Sequence, residues 1–213
     1  MNQEIIKFNE IRANSAISAL QKNGFSAEYL PSKEQALDRL LELIDKNAVV
    51  GCGGSLTLRQ IGIIEALTER GNKVIHHAHP DLSPEQLLEL RREELLTDVF
   101  LTSTNALSLN GELVNIDGVG NRVAAMTFGP KQVICVVGIN KLTTNLEAAC
   151  ERAKNIAAPL NALRFSLNTP CTKLGRCVDC DSPERLCRAT IIINRQPSQT
   201  PTTVLIVGES LGY

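Results

Sequence analysis

The stretch Asn47-Ala48-Val49-Val50-Gly51-Cys52-Gly53-Gly54-Ser55-Leu56 (residues 47–56) decides the fold. Ala48-Val49-Val50 is a short apolar run of the kind that fills a buried strand, and Gly51–Ser55 is a turn. Residues 56–70 are apolar at helical spacing and end at Gly71, which predicts one helix. Strand, Gly-rich turn and helix in that order form half of a βαβ unit. The alternation continues with a strand at 73–76, a helix at 83–96 with Pro84 in its first position, and a strand at 98–102. This order predicts a three-layer, mostly parallel, Rossmann-like α/β sheet with helices on both faces and right-handed crossovers.

Residues 1–46 read as an N-terminal helical segment. In 3–23, Ile5, Phe8 and Ile11 recur every three residues, Ala13, Ile17 and Leu20 follow, and Gly24 ends the helix. A short extended piece stops at Pro31, and Ser32 caps a second helix reaching about Ile44.

Beyond Thr102 the rhythm changes. Residues 104–109 and 112–116 flank Asn110-Gly111, the strongest short hairpin signal. A second glycine-bearing loop, residues 117–122, leads into a short helix at 123–128. A buried strand at 132–137, a helix at 145–157 and two closing strands at 190–193 and 204–207 complete the pattern. Residues 168–188 form an irregular Cys-rich lobe broken by Pro170, Gly175 and Pro183. One domain over 1–213 is the economical reading.

Bulk composition excludes several function classes. Formal net charge is −1, which gives no general pull toward nucleic acid or anionic membrane. Aromatic content is 3% with no Trp, so stacking platforms for single strands are absent. The longest apolar runs are strand-sized, which predicts no membrane insertion. The N-terminus lacks the apolar core of a signal peptide, and a cytoplasmic setting with reduced thiols is expected.

Three groups of residues carry candidate chemistry. In the first loop, Gly51, Gly53 and Gly54 let backbone approach a ligand, a helix start offers free N–H groups, and Ser55 and Thr57 add hydroxyls. A phosphate or carboxylate suits such a loop, although Ser55 could equally be an N-cap on a tight turn. The loop is neither a Walker motif nor a dinucleotide fingerprint. Cys52 lies inside it, as a stabilised thiolate or as a small packed residue. The second group is Cys171, Cys177, Cys180 and Cys187, spaced C-x5-C-x2-C-x6-C. Four thiols in a broken loop suit Zn²⁺ or an iron–sulfur cluster, or stay as reduced, packed or disulfide-paired cysteines without metal. The third is His76, His77 and His79, a loop rim or a metal and acid/base site. Cys135, in a buried strand, has no assigned role.

The run from Val49 to Ser55 resembles the first loop of the LUD (lactate-utilisation) domain family. So do Thr104-Asn105-Ala106, residues 110–118 from Asn110 to Gly118, Gly120-Asn121-Arg122-Val123-Ala124, Phe128-Gly129-Pro130-Lys131 and Gly138-Ile139-Asn140-Lys141. The Cys-rich tail resembles one found in a subset of that family. The resemblance implies a fold similar to ribose-5-phosphate isomerase, glucosamine-6-phosphate deaminase and the CoA transferases. It also implies that Asn105, Asp117, Gly118, Gly120, Asn121, Arg122 and Lys141 share a cleft with the first loop.

The sequence departs from those enzymes where their chemistry sits. Thr102-Ser103-Thr104-Asn105-Ala106 replaces the acidic run that enediol isomerisation needs, so isomerase activity is rejected. Glu112 is the nearest candidate for a transferase nucleophile, but it follows a hairpin turn. The leading expectation is a small-anion site acting with iron–sulfur redox subunits in organic-acid (lactate) utilisation, in a chain that forms homo-oligomers. Catalytic residues are not identified. The alternative is a non-catalytic, metal-stabilised interaction subunit.

Overall fold

A computed structural model of the chain describes residues 2–77 and 82–213. Val133, Cys135 and Val137 of strand β7 (Gln132–Gly138) join one core, Ile134 and Val136 join another, and all five are fully buried. A strand apolar on both faces belongs inside a covered parallel sheet. On one side β7 pairs with β10 (Thr202–Val207), which pairs with β1 (Ser26–Leu30). On the other it pairs with β4 (Val99–Thr102), followed by β2 (Val49–Cys52) and β3 (Lys73–His76). All five pairings are parallel, as the βαβ alternation predicts.

Helices cover both faces of this six-stranded sheet. One face packs under α2 (Lys33–Leu43), α3 (Leu56–Ile61) and α4 (Ile63–Glu69) through Ala36, Leu40, Leu58, Ile63 and Leu67. The other packs under α1 (Gln3–Lys22) and α6 (Asn121–Thr127) through Ala13, Ala16, Leu20, Ala125 and Met126. Along α1 the apolar contacts to the core come from the second half, while Ile5, Phe8 and Ile11 face solvent.

The hairpin at Asn110-Gly111 forms, with Gly111 at φ +88°. Its strands β5 (Ala106–Ser108) and β6 (Leu113–Asp117) belong to a second sheet, not to the parallel one. Here β8 (Leu142–Thr143) pairs with β5, and β9 (Ala189–Ile193) pairs with β6. The two closing strands therefore part: β9 finishes the small sheet, and β10 inserts between β1 and β7.

Three helix boundaries differ from the sequence expectation. The helix over 56–70 breaks at Gly62, whose φ of +78° ends α3 and starts α4. The helix over 83–96 is α5 (Pro84–Glu93), with a Ser83 capping box, followed by a 310 turn at Glu94–Leu96. The helix over 145–157 does not stop before Pro159. α7 (Leu146–Arg152) widens into a π segment at Ala153–Ala157 and continues as α8 (Ala158–Arg164). Pro159 follows directly on the π segment, whose widened turn is where a continuous helix accommodates a residue without an N–H. Among the described residues, no helix is long and apolar enough to cross a membrane.

Candidate functional site

The carboxyl ends of β2, β4 and β7 open into a cleft of about 480 Å3, with β6, α6 and α8 forming its sides. Clefts at this end of a parallel sheet collect ligands because the βα loops diverge there. The first loop supplies Gly54, Ser55 and Thr57 to the wall. Ser55 is the N-cap of α3 and its hydroxyl accepts from the Leu58 N–H at 3.4 Å. α3 has six residues, so its dipole adds little. The polar character of the cleft comes instead from side chains.

Lys141 ends the 310 turn after β7 and is 3% exposed. Its Nζ donates to Ser103 Oγ at 2.9 Å and Thr57 Oγ1 at 3.0 Å. No carboxylate lies within ion-pair distance among the described residues. Burial, and then the Arg152 guanidinium, bring its amine down to about 7. Arg164 from α8 reaches the loop from the opposite wall, donating to the Gly54 carbonyl at 3.3 Å, and it too lacks a carboxylate partner. Burial, with Arg59 adding to it, lowers its affinity for the proton. Arg91 also lines the cleft, and its Nε is buried without a hydrogen-bond partner among the described residues.

Arg122 plays a different part. Its guanidinium donates to the Ser103 and Ile116 carbonyls and to the side-chain oxygens of Asn115 and Asn105, at 2.7–3.3 Å. Its Nε stands 3.4 Å from Asp117 Oδ2. Burial lowers its affinity for the proton, and Asp117 works in the opposite direction. Arg122 therefore ties β4, β6 and α6 into one wall. Asp117 also accepts from the Val119 and Gly120 N–H groups, closing the second glycine loop as an Asx turn. Asn105 accepts from the Ile116 N–H at 2.7 Å.

A pair that sequence reasoning did not assemble stands at the rim. His77 Nδ1 lies 2.6 Å from Glu94 Oε1, and Glu94 is 1% exposed. Asn121 Nδ2 donates to the other Glu94 oxygen at 3.3 Å. A carboxylate only accepts, so Nδ1–H donates to Glu94, and Nε2 is the ring nitrogen turned toward the loop. A Cβ on Gly54 would lie 3.2 Å from that Nε2. The available signal was Glu94 itself, a carboxylate at a helix C-terminus where the dipole disfavours one.

Nine of the residues expected at the cleft line it: Gly54, Ser55, Thr57, Asn105, Asp117, Gly118, Asn121, Arg122 and Lys141. Gly51, Gly53 and Gly120 are not among the lining residues. Gly51 makes room for Thr97, whose Oγ1 would stand 2.9 Å from a Cβ, and Gly53 packs on Phe100. Gly120 supplies a φ of +95° at the start of α6. Cys52 is 1% exposed, and burial, with Glu94 and Glu65 adding to it, pushes its thiol up to about 12. It is a packed core residue, not a reactive thiolate. Burial pushes Cys135 to about 12 as well. Glu112 lies outside the cleft lining and accepts from the Ser108 hydroxyl at the hairpin turn. His76 ends β3, and His79 lies outside the described residues. Cys171, Cys177, Cys180 and Cys187 line a second, much smaller cavity beneath α8. Among the described residues, no three His, Cys, Asp or Glu side chains already stand at metal-ligand spacing.

The structure of a DUF162 family protein from Deinococcus radiodurans is similar, with a TM-score of 0.53 at 14% identity, over 93% of this chain and 98% of that one. That likeness concerns the fold. A ribose 5-phosphate isomerase from Plasmodium falciparum aligns over 53% of this chain and 52% of its own, at 21% identity and a TM-score of 0.36. No curated protein matches the chain. The family model for the LUD domain matches residues 13–207, and the chain belongs to that family.

Proposed function

We propose that the cleft binds a small organic anion, carrying a carboxylate or a phosphate, and that the protein serves organic-acid (lactate) utilisation beside iron–sulfur redox partners. One observation carries the anion half: among the described residues the cleft wall holds Arg91, Arg122, Lys141 and Arg164 against one side-chain carboxylate, Asp117, which Arg122 already engages. The chain as a whole has a net charge of −1, so this excess is local. Low-dielectric walls around unneutralised cations focus the field on an incoming anion. A volume of about 480 Å3 suits a metabolite.

The utilisation half rests on family membership, which is a weaker warrant than geometry. It gains support from His77, a base held in one tautomer by Glu94 at the mouth of an anion site. A 2-hydroxy acid needs a proton acceptor for its hydroxyl when it is oxidised. Oxidation to the 2-oxo acid releases two protons and two electrons; His77 would take the hydroxyl proton, the second proton would leave to solvent, and the iron–sulfur partners would take the electrons one at a time.

Titration calorimetry with phosphate, acetate, L-lactate and its 2-oxo acid tests the reading. Binding by the native chain that is lost in Lys141→Met and weakened in Arg164→Ala supports it. Absence of binding by every anion, in a chain that is folded, overturns it.

A further inference from the structure

The segment 168–188 keeps a defined shape with almost no core. Between Ala162 and Ile193 no apolar side chain is buried among the described residues. After α9 (Pro170–Leu174) the chain runs without helix or strand until β9. Leu174 and Val178 face solvent. Hydrophobic burial therefore does not hold this lobe, and something else must offset the entropy of ordering it.

The four cysteines of the lobe meet at one place. Cys171 comes from α9, Cys177 and Cys180 from the following loop, and Cys187 from the approach to β9. All four line one cavity of about 20 Å3, floored by Lys154, Ala158 and Pro159. Cys177 Sγ accepts the Asp179 N–H at 3.4 Å, and Asp179 adopts a left-handed φ of +48° to present it. Arg185 donates to the Cys180 and Cys187 carbonyls at 2.7 and 2.9 Å, tying both ends of the loop together.

We propose that Cys171, Cys177, Cys180 and Cys187 hold one tetrahedral Zn²⁺ ion, which folds the lobe and fixes the cleft wall beside it. Four thiolates are a complete ligand set for structural zinc. The cavity is about the size of one bound ion, since a single water needs on the order of 10–15 Å3, and a cluster would require it to widen. Four thiolates on a divalent ion leave two negative charges; Lys154 lines the same cavity to offset them, while Arg185, also there, is paired with Asp179 at 2.7 Å. The four cysteines line the cavity without their side chains standing at ligand spacing, and Cys171 Sγ lies 3.1 Å from Thr169 Oγ1, so binding would draw the sulfurs together by side-chain rotation. Cys187 is joined to Leu186, which lines the anion cleft and whose carbonyl would lie 3.1 Å from a Cβ on Gly118. The ion thus anchors a wall of the cleft without touching what the cleft binds.

Metal analysis of the full chain, purified reduced and without chelator, tests the assignment independently of the anion reading. We expect one zinc per chain, lost in Cys177→Ser and in Cys187→Ser and retained in Cys150→Ser. A misfolded variant would mimic loss, so the native chain supplies the second measurement. Stripped of metal and titrated with Co²⁺, it develops thiolate charge-transfer and tetrahedral d–d bands that saturate at one ion. Zinc then protects four of the seven cysteines from a maleimide. Failure of the reduced, folded chain to take up Zn²⁺ or Co²⁺ overturns the proposal. So does iron with acid-labile sulfide in place of zinc, or zinc held equally by the Cys177→Ser and Cys187→Ser chains.

Discussion

Glu94 Oε1 and His77 Nδ1 stand 2.6 Å apart, joining a 310 turn after α5 to the end of β3, with the carboxylate buried and the imidazole at the cleft. Seventeen residues separate them in sequence. The pair does two jobs: it satisfies a buried charge, and it fixes which imidazole nitrogen faces Gly54. Removing His77 leaves Glu94 with Asn121 as its remaining side-chain partner among the described residues. His77→Ala should destabilise the chain by roughly 3 kcal/mol, the penalty of a stranded buried charge. Glu94→Gln, which removes the charge but keeps the shape, should cost about 1 kcal/mol. Urea unfolding of both variants and the double variant checks this. Equal, negligible losses would show that the carboxylate is solvated and the pair incidental.

Arg122 is expected to behave as scaffold. It donates to four oxygens and pairs with Asp117, a set that a lysine ammonium cannot reach from one point. Arg122→Lys should cost roughly 2–4 kcal/mol, since several buried acceptors lose their donor together. Thermal or urea unfolding measures it. If the variant were as stable as the native chain but failed to bind anions, Arg122 would belong to the ligand and not to the wall.

The glycines of the first loop divide by role. A Cβ on Gly51 would stand 2.9 Å from Thr97 Oγ1 and 3.2 Å from the Glu94 carbonyl, inside a packed layer. Gly51→Ala should therefore destabilise by roughly 1–3 kcal/mol. A Cβ on Gly54 would meet the His77 ring edge at the open cleft. Gly54→Ala should leave stability within about 1 kcal/mol and weaken anion binding. Unfolding and calorimetry on the two variants separate the effects, and the reverse assignment would move the ligand deeper than the loop.

That division shows what the sequence could and could not tell. Val49–Ser55 announces strand, turn and helix because each residue type there has a local reason. Gly51 and Gly54 look alike in sequence, and only the neighbours brought by Thr97 and His77 set them apart. The small sheet was illegible because β6 pairs with β9, seventy-odd residues later, through contacts that no local period encodes. Gly62 lies inside an unbroken apolar rhythm, so the break it makes between α3 and α4 left no trace in periodicity. The Lys141, Thr57 and Ser103 group comes from three strand ends, and parallel topology alone assembles it. Arg164 was missed because the helix expected over 145–157 ends short of it, whereas the π segment carries the helix on to Arg164.

Lys141 makes the cleft sensitive to pH in two ways that share one cause. Its amine sits at about 7 in the folded chain against an ordinary 10.5, because burial and then Arg152 disfavour the charge. An anion prefers the ammonium, so affinity should be greatest below pH 7 and fall as pH rises through it. Binding above that point should take up a proton, because the bound anion restores the charge. Calorimetry in buffers of different ionisation heat reads this uptake directly. Stability runs the other way. Between about 7 and 10.5 the unfolded chain binds the proton that the folded chain has lost, so stability from this group rises with pH across that window. The slope is at most about 1.4 kcal/mol per pH unit for one proton. Below pH 7 both states carry the charge and the slope vanishes, with the full cost of burying it present. Lys141→Met should raise stability at pH 6, flatten the profile between pH 7 and 10, and abolish proton uptake on binding. A wild-type profile that is already flat there would mean that the amine stays charged through pH 9, with a counter-ion or water in the cleft supplying what Thr57 and Ser103 do not.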